Sequence, residues 1–138
     1  MLGLAVGDAL GAPVEFCLRD DFDAVTDMCS GGYFDLPAGA WTDDTAMSLA
    51  LYFSLKKYHG LNAEHLLGEF YEWMANGKYS STGKSVGIGQ NTFWVLSEFG
   101  RNSTLRAERH NTKADGNGSL MRLAPVAVLF SDDKEMAI

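Results

Sequence analysis

Two adjacent carboxylates stand where an apolar helix begins. In the stretch AGAWTDDTAMSLALYFSL, residues Thr42, Asp43 and Asp44 precede apolar positions with helical spacing. One interpretation is helix capping, in which Thr42 or Asp43 accepts an amide hydrogen bond and both carboxylates favour the positive helix end, for about 0.5–2 kcal/mol. The other is a divalent-cation site, because Mg²⁺ and Mn²⁺ prefer carboxylate and hydroxyl oxygens. Capping explains one aspartate well and two less well, because adjacent like charges repel, and the sequence leaves both interpretations open.

Two glycine-rich stretches carry further candidate residues. Asp8 and Glu15 lie in GDALGAPVEF and could supply the acidic groups that a metal site at residues 42–44 would still need. In DGNGSLMRLAPV, glycines would let backbone amides approach a ligand, and the start of the helix predicted next would favour phosphate or another anion. A turn followed by a cap would give the same pattern. The candidate anion-binding residues there are Gly116, Asn117, Gly118 and Ser119.

The segment GKYSSTGKS comes close to a phosphate-binding P-loop without matching it. Gly83-Lys84-Ser85 supplies the end of the pattern G-x-x-x-x-G-K-[ST], but the position five before Gly83 is Lys78, and Gly77 lies one residue too early. The stretch before it has helical periodicity, whereas a P-loop follows a buried strand. We therefore expect a loop between two helices, and a P-loop phosphotransferase is the weakest functional hypothesis.

Helical periodicity dominates the elements that must position these residues. Helices are predicted over residues 2–11, 42–58, 63–76, 92–99 and 120–130. Long loops are predicted over 18–41, which is rich in Gly, Asp and Pro, and over 100–119. Tyr33 and Phe34 in the first loop are the aromatic residues to consider for stacking on a ligand ring. Since the sequence contains no alternating hairpin pair and no alternation of strands with helices, the pattern predicts a mainly α fold.

Composition limits the classes of protein to consider. The chain has 138 residues, of which 46% are hydrophobic and 21% charged, as in one globular domain. Its net charge of -7 argues against a nucleic-acid partner. The sequence shows neither an apolar run of about 18 residues nor a basic leader, so no membrane partner is predicted. Cys17 and Cys29 fit no zinc spacing or disulfide framework and predict free thiols. The expected location is cytoplasmic.

Three segments in this order closely resemble the ADP-ribosylglycohydrolase family: GLAVGDALGAPVEF, AWTDDTAMSLAL and GNGSLMRLAPVAV. The connecting segment NGKYSSTGKSVGIGQNT is also similar, but Val86-Gly87-Ile88-Gly89 stands where the family motif is close to Phe-Asp-Ile-Gly. The resemblance covers the whole chain and implies an all-α domain of packed helices that is incomplete here. The family's second metal motif, of the Asp-x-Asp-Thr type, is absent, and Asp132-Asp133 are the only acids nearby. Residues 1–138 are thus predicted to be the N-terminal portion of a single domain.

The resemblance also implies an activity and a set of roles. The family removes ADP-ribose from proteins, and the implied function is magnesium-dependent hydrolysis of an N- or O-glycosidic bond to a modified side chain. The implied cofactor is Mg²⁺, two ions in a complete site, with Mn²⁺ as an alternative. The implied metal ligands are Thr42, Asp43 and Asp44. The implied catalytic residues are Asp43, Asp44 and Glu15. The implied substrate-binding residues are Asp8, Gly116, Asn117, Gly118 and Ser119.

A second hypothesis is a non-catalytic fragment, which the missing metal motif favours. Such a fragment would bind ADP-ribose, or would only associate with a complementary C-terminal chain or with itself. A partial domain is expected to expose apolar surface, to self-associate or to be marginally stable when made alone.

Overall fold

The computed structural model describes residues 1–106, 116–133 and 135. This part of the chain contains five α-helices: α1 Leu2–Gly11, α2 Asp43–Tyr58, α3 Ala63–Asn76, α4 Gln90–Asn102 and α5 Ala124–Leu129. Short 3-10 turns cover Ala12–Val14 and Asn117–Ser119. Within the described residues the only β-type pairing is one isolated bridge, between Gly31 and Leu36. The all-α prediction is confirmed.

Helix α2 lies at the centre of the fold and packs against α1, α3 and α5, while α4 packs on α3. The main core joins side chains of α2, α3 and α4, and each buried large apolar side chain contributes about 1.5–3 kcal/mol. The core residues are Ala46, Met47, Ala50, Phe70, Trp73 and Leu96. The central helix is therefore fixed on several sides, and its first turn is held in a defined position.

The ends of α3 follow the sequence signals. The Asn62 side chain accepts a hydrogen bond from the backbone N–H of His65 at 2.9 Å, and Gly77 ends the helix in the left-handed conformation. The loop after Gly77 connects α3 to α4, and the Ser85 hydroxyl donates a hydrogen bond to the Met74 carbonyl at 2.9 Å. The expectation of a helix-to-helix loop is confirmed.

Two helices differ from the predicted ranges. Helix α4 is longer than 92–99 at both ends, because Gly89 precedes it in an extended conformation and Ser103 ends it in a left-handed one. The apolar stretch 120–130 forms a helix only from Ala124, with Pro125 in the first turn, where a missing N–H leaves no hydrogen bond unmade. The predicted loop over 100–119 includes residues 107–115, which lie outside the described part.

The long loop before α2 is anchored at its end. Backbone hydrogen bonds in both directions join Gly31 and Leu36, at 2.7 and 3.0 Å. Leu36 and Ala40 pack against Ala12 in a second small core. This core holds the loop against the segment that follows α1, so residues from both can contribute to one site.

Part of the apolar surface of this chain is open to solvent. Leu2 and Val6 on α1 are 84% and 45% exposed, and Leu120 beyond α4 is 71% exposed. Cys17 and Cys29 are free and exposed, as predicted. Across the described ranges, no helix combines the length and apolar character that a membrane span requires.

Candidate functional site

The first turn of α2 is capped by a side chain from another helix. Asp8 of α1 accepts hydrogen bonds from the backbone N–H groups of Thr42 and Thr45, at 3.1 and 3.0 Å, and from both threonine hydroxyls at 2.7 Å. The Thr42 side chain makes no capping hydrogen bond of its own. The capping interpretation of Thr42 is therefore wrong, because its hydroxyl is a donor to a carboxylate, which is the stronger acceptor.

The backbone N–H groups of Thr42 and Thr45 therefore have an acceptor without Asp43 or Asp44. Asp43 is buried, at 8% exposure, and Asp44 is half-buried beside it. The pKa of Asp43 is raised to about 7, first by burial and then by the charge of Asp44. Burial followed by the charge of Asp8 raises the pKa of Asp44. The carboxylates thus lie close enough together to disfavour one another's ionisation.

Glu15 belongs to the same acidic cluster. It follows the 3-10 turn after α1, and its pKa is raised by burial and then by the charges of Asp44 and Asp8. The segment GDALGAPVEF, which carries Asp8 and Glu15, is thus brought to the start of α2. Asp8 faces the helix end, whereas Glu15 faces the neighbouring cleft.

Gly87 lies directly against the Asp43 carboxylate. Its φ is +81°, a region that favours glycine, and a Cβ atom at this position would overlap Oδ1 of Asp43 and lie 3.3 Å from Cβ of Thr42. This is the position at which the resembling family motif carries Asp. In the described structure there is no room here for a side chain, so the backbone of Gly87 itself packs against Asp43.

A cleft of about 580 Å³ opens beside these carboxylates. It is bounded by the start of α2, α3, the start of α4 and the segment before α5. The predicted site residues that line it are Glu15, Asp43, Asp44, Gly116, Asn117, Gly118 and Ser119. Asp8 and Thr42 do not line it and lie behind Asp43. The acidic and glycine-rich segments therefore converge on a single cavity.

The sequence suggested that a helix begins directly after the glycine-rich segment, and the structure does not show this. Asn117–Ser119 forms a 3-10 turn, and α5 begins only at Ala124. Gly116 and Gly118 instead lie against the start of α4, where added Cβ atoms would be 3.7 Å from Asn91 Nδ2 and 3.4 Å from Thr92 Oγ1. The helix end beside this turn is therefore the start of α4 and not that of α5, so an anion contact from the segment itself would come from the amides of the turn.

Arg122 is a cleft residue that sequence reasoning missed. Its guanidinium lies over the Phe70 ring, 4.9 Å from the centroid, and Nη1 approaches the Met47 sulfur at 3.7 Å. Burial lowers the pKa of Arg122, and the charge of Asp43 partly offsets this. Among the described residues that line the cleft, it is the single cation. One arginine inside the apolar run LMRLAPVAVLF was the available signal.

The acidic cluster fits part of the shell of a hard divalent cation. Asp43 and Asp44 supply carboxylate oxygens and Thr42 a hydroxyl oxygen, while burial and the charges of neighbouring carboxylates raise the pKa values of both aspartates. Within the described ranges, however, no three acidic, His or Cys side chains form a group close enough to hold a metal ion. Water or further ligands would have to complete the shell, which Mg²⁺ readily accepts.

In the metal-free protein we expect stability to fall as the pH rises from about 4 to about 7. The folded state binds the Asp43 proton more tightly than the unfolded chain does, so this contribution is full below the ordinary pKa of 3.8 and is lost as the pH passes about 7. Added Mg²⁺ should raise the melting temperature at pH 8 and change it little at pH 5, where protons compete. Thermal unfolding in EDTA and in Mg²⁺ at both values measures this.

The matched control is Asp43→Asn, which keeps the side-chain shape and removes the titrating group. Its melting temperature should depend much less on pH and on Mg²⁺. A wild-type melting temperature that is independent of Mg²⁺ at pH 8 would argue against a cation site.

The described residues form an all-α fold with an acidic cluster and a glycine-rich turn on one cleft. The chain belongs to the ADP-ribosylglycohydrolase family, whose sequence profile matches residues 1–138. The family assignment suggested by the three segments is thereby confirmed.

Two relatives and one solved structure illustrate the match. ADP-ribosylarginine hydrolase Tri1 of Pseudomonas putida (strain GB-1) is 39% identical over 131 residues, which are 93% of this chain and 34% of that protein. ADP-ribosyl-[dinitrogen reductase] glycohydrolase of Rhodospirillum rubrum is 35% identical over 92% of this chain and 42% of that protein. A structure described as an ADP-ribosylglycohydrolase-related protein complex superposes with a TM-score of 0.77 at 33% identity, covering 98% of this chain and 42% of the other. This chain therefore spans well under half the length of these proteins.

Proposed function

We propose that this chain is the N-terminal portion of a magnesium-dependent hydrolase domain that removes ADP-ribose from modified protein side chains. The observation that carries the proposal is the convergence of Glu15, Asp43 and Asp44 with residues 116–119 on one cleft. Such a cleft offers acidic groups for a glycosidic bond and amides for a diphosphate. The two relatives, named for hydrolysis of ADP-ribosylarginine and of ADP-ribosyl-dinitrogen reductase, support this reading. The partner would be an ADP-ribosylated protein or ADP-ribose.

In this proposal Thr42, Asp43 and Asp44 would hold Mg²⁺, with Mn²⁺ as an alternative, and a complete site would hold two ions. The bound metal would supply Lewis acidity and would orient ribose hydroxyls. Asp8 would act from behind, by fixing the helix turn that carries the two aspartates.

The remaining cleft residues have separate roles in the proposed reaction. Glu15 lies at the edge of the carboxylate cluster with a raised pKa, a suitable position for holding or moving a proton near the scissile bond. The backbone amides of residues 116–119 would bind the diphosphate. Arg122 would balance the negative charge that the carboxylates and the diphosphate bring into the cavity.

One observation favours the alternative, a fragment that binds ADP-ribose or a partner chain without catalysis. Leu2 and Leu120 are more than two-thirds exposed, at 84% and 71%, and Val6 lies one helical turn from Leu2. Apolar surface of this kind suits association with a complementary C-terminal chain or with a second copy. In that case the carboxylates would form part of a site that another chain completes.

Release of ADP-ribose from an ADP-ribosylarginine peptide distinguishes the two functions. The proposed hydrolase should release ADP-ribose in Mg²⁺ and stop in EDTA. Asp43→Asn should lower its rate at least about 10- to 100-fold, the loss that follows when even an outer-shell partner of a metal ligand is removed. ADP-ribose binding without any release would favour the non-catalytic fragment. If neither release nor binding occurs, the hydrolase and the ADP-ribose-binding fragment are both wrong for this chain, and association with a partner chain is the alternative left.

A further inference from the structure

Three aromatic rings form an exposed cluster beside the cleft. We call Phe16, Tyr33 and Phe34 the aromatic rim. The Phe16 ring lies 5.0 Å from the Tyr33 ring and 6.0 Å from the Phe34 ring, and the Tyr33 and Phe34 rings are 5.1 Å apart. Phe16 and Tyr33 are nevertheless 68% and 75% exposed. Large aromatic faces are thus held together while remaining open to solvent.

The aromatic rim is fixed by the backbone around it. The bridge between Gly31 and Leu36 closes the segment that carries Tyr33 and Phe34. Gly32, with a φ of +75°, packs so closely on Pro13 that a Cβ atom would be 2.6 Å from the Pro13 Cα. Phe34 packs against the small core that includes Leu36. The aromatic rim is therefore a preorganised surface, and a ligand would not have to order it.

Phe16 also adopts a left-handed backbone conformation, with a φ of +67°. This conformation is unfavourable for a bulky residue and is typically retained where the surrounding structure requires it. Phe16 follows directly after Glu15, and both residues line the cleft that contains Asp43 and Asp44. By contrast, the exposed Leu2 and Val6 of α1 do not line the cleft.

The charges near the aromatic rim select among flat ligands. Glu15 precedes Phe16 and shares the cleft with it, and Asp35 follows Phe34 in the sequence. An adenine ring would stack on these faces, but it carries no positive charge for the carboxylates to attract. A guanidinium is planar, stacks on aromatic faces and carries the opposite charge. An ammonium group would be attracted to the carboxylates but could not stack on the aromatic rings.

We propose that the aromatic rim binds a guanidinium, namely that of the arginyl side chain to which the ADP-ribose is attached. This assignment rests on the proposed function, because it places the acceptor side chain at the open end of the ADP-ribose cleft. The aromatic rim then contributes to the specificity for the acceptor side chain, while the carboxylates and the glycine-rich turn bind the ADP-ribose.

Agmatine, a free alkyl guanidinium, is the probe for the test, and cadaverine is its ammonium counterpart. We expect agmatine to shift the ring resonances of Phe16 and Tyr33 in NMR titrations of the full chain, with cadaverine binding at least tenfold more weakly. Phe16→Leu and Tyr33→Leu should each weaken agmatine binding at least tenfold. Both side chains are mostly exposed, so both variants should fold. Phe93→Leu is the matched control, because Phe93 is 54% exposed on α4 and does not line the cleft.

Parallel titrations with ADP-ribose separate this inference from the proposed function. Tyr33→Leu, at a position that does not line the cleft, should bind ADP-ribose within twofold of wild type. Equal agmatine binding by wild type and rim variants, or none by wild type, would overturn the inference. A matching loss of ADP-ribose affinity would also overturn it and would place adenine on the rim, and a change in oligomeric state alone would mark the rim as a packing surface instead. Rim-dependent agmatine binding in a wild-type chain that binds no ADP-ribose would support the guanidinium site and contradict the proposed function.

Discussion

Gly87→Ala is expected to lower the affinity for ADP-ribose in Mg²⁺ about 5- to 150-fold. The new Cβ would overlap Oδ1 of Asp43 at a residue whose φ of +81° already disfavours a side chain. Relief requires Asp43 to turn away or the backbone to shift, and strain of this kind costs about 1–3 kcal/mol. Calorimetric titration of ADP-ribose in Mg²⁺ measures the loss. In the same variant, the melting temperature should no longer depend on Mg²⁺.

Gly83→Ala is the matched control for this substitution. Gly83 has a similar φ of +76°, but a Cβ atom there would meet nothing within 4 Å. It should therefore show the cost of the backbone conformation without displacing Asp43, and its ligand affinity should stay near that of wild type. If both variants lost ligand binding equally, the effect would come from loop strain rather than from the contact with Asp43.

Asp8→Ala is expected to produce the largest loss of stability, at least about 3 kcal/mol in the free energy of unfolding. The change removes the acceptor for two backbone N–H groups and two hydroxyls of Thr42 and Thr45, which are only 4% and 3% exposed. Each buried group left without a partner costs about 1–3 kcal/mol. Urea unfolding followed by circular dichroism measures the change.

Two comparisons define what the Asp8 result means. Asp8→Asn retains one acceptor oxygen but turns a donor toward other donors, so its loss should be intermediate. Asp21→Ala removes an exposed carboxylate elsewhere in the chain and should change stability by less than about 0.5 kcal/mol. A loss below about 1 kcal/mol in Asp8→Ala would show that α2 does not depend on this cap.

The helices were predictable because their signals are local. The spacing of apolar residues located α1, α2 and α3, and Asn62 and Gly77 marked the two ends of α3. The start of α5 was not predictable from spacing, since the apolar run begins at Leu120 and the chain turns first. Periodicity shows which residues favour burial, whereas the point at which a helix begins also depends on the surrounding contacts.

The site was predictable as a set of segments, but the contacts between their residues were not. The sequence indicated Asp43, Asp44 and Glu15, and the structure brings these side chains to one cleft. It did not indicate that Asp8 caps α2 from 34 residues away, because such a pairing exists only once α1 packs on α2. Arg122 was missed for the same reason, since its role depends on α3 and α2 side chains.

The position of Gly87 shows how a departure from a motif can be read structurally. Compared with the resembling family, the chain lacks an Asp at this position, and the sequence alone suggested a lost contact. The structure shows a backbone that packs directly against Asp43 in its place. Whether that contact maintains the site is what the Gly87→Ala comparison measures.

The most direct test of the central claim is calorimetric titration of ADP-ribose into this chain, first in Mg²⁺ and then in EDTA. The claim is that the acidic start of α2 and residues 116–119 form one cation-dependent ADP-ribose site. It predicts binding in Mg²⁺ that is at least about tenfold weaker in EDTA and is lost in an Asp43→Asn/Asp44→Asn double variant, as expected if the cation joins the two parts. Equal binding in both conditions, or no binding in either, would contradict it.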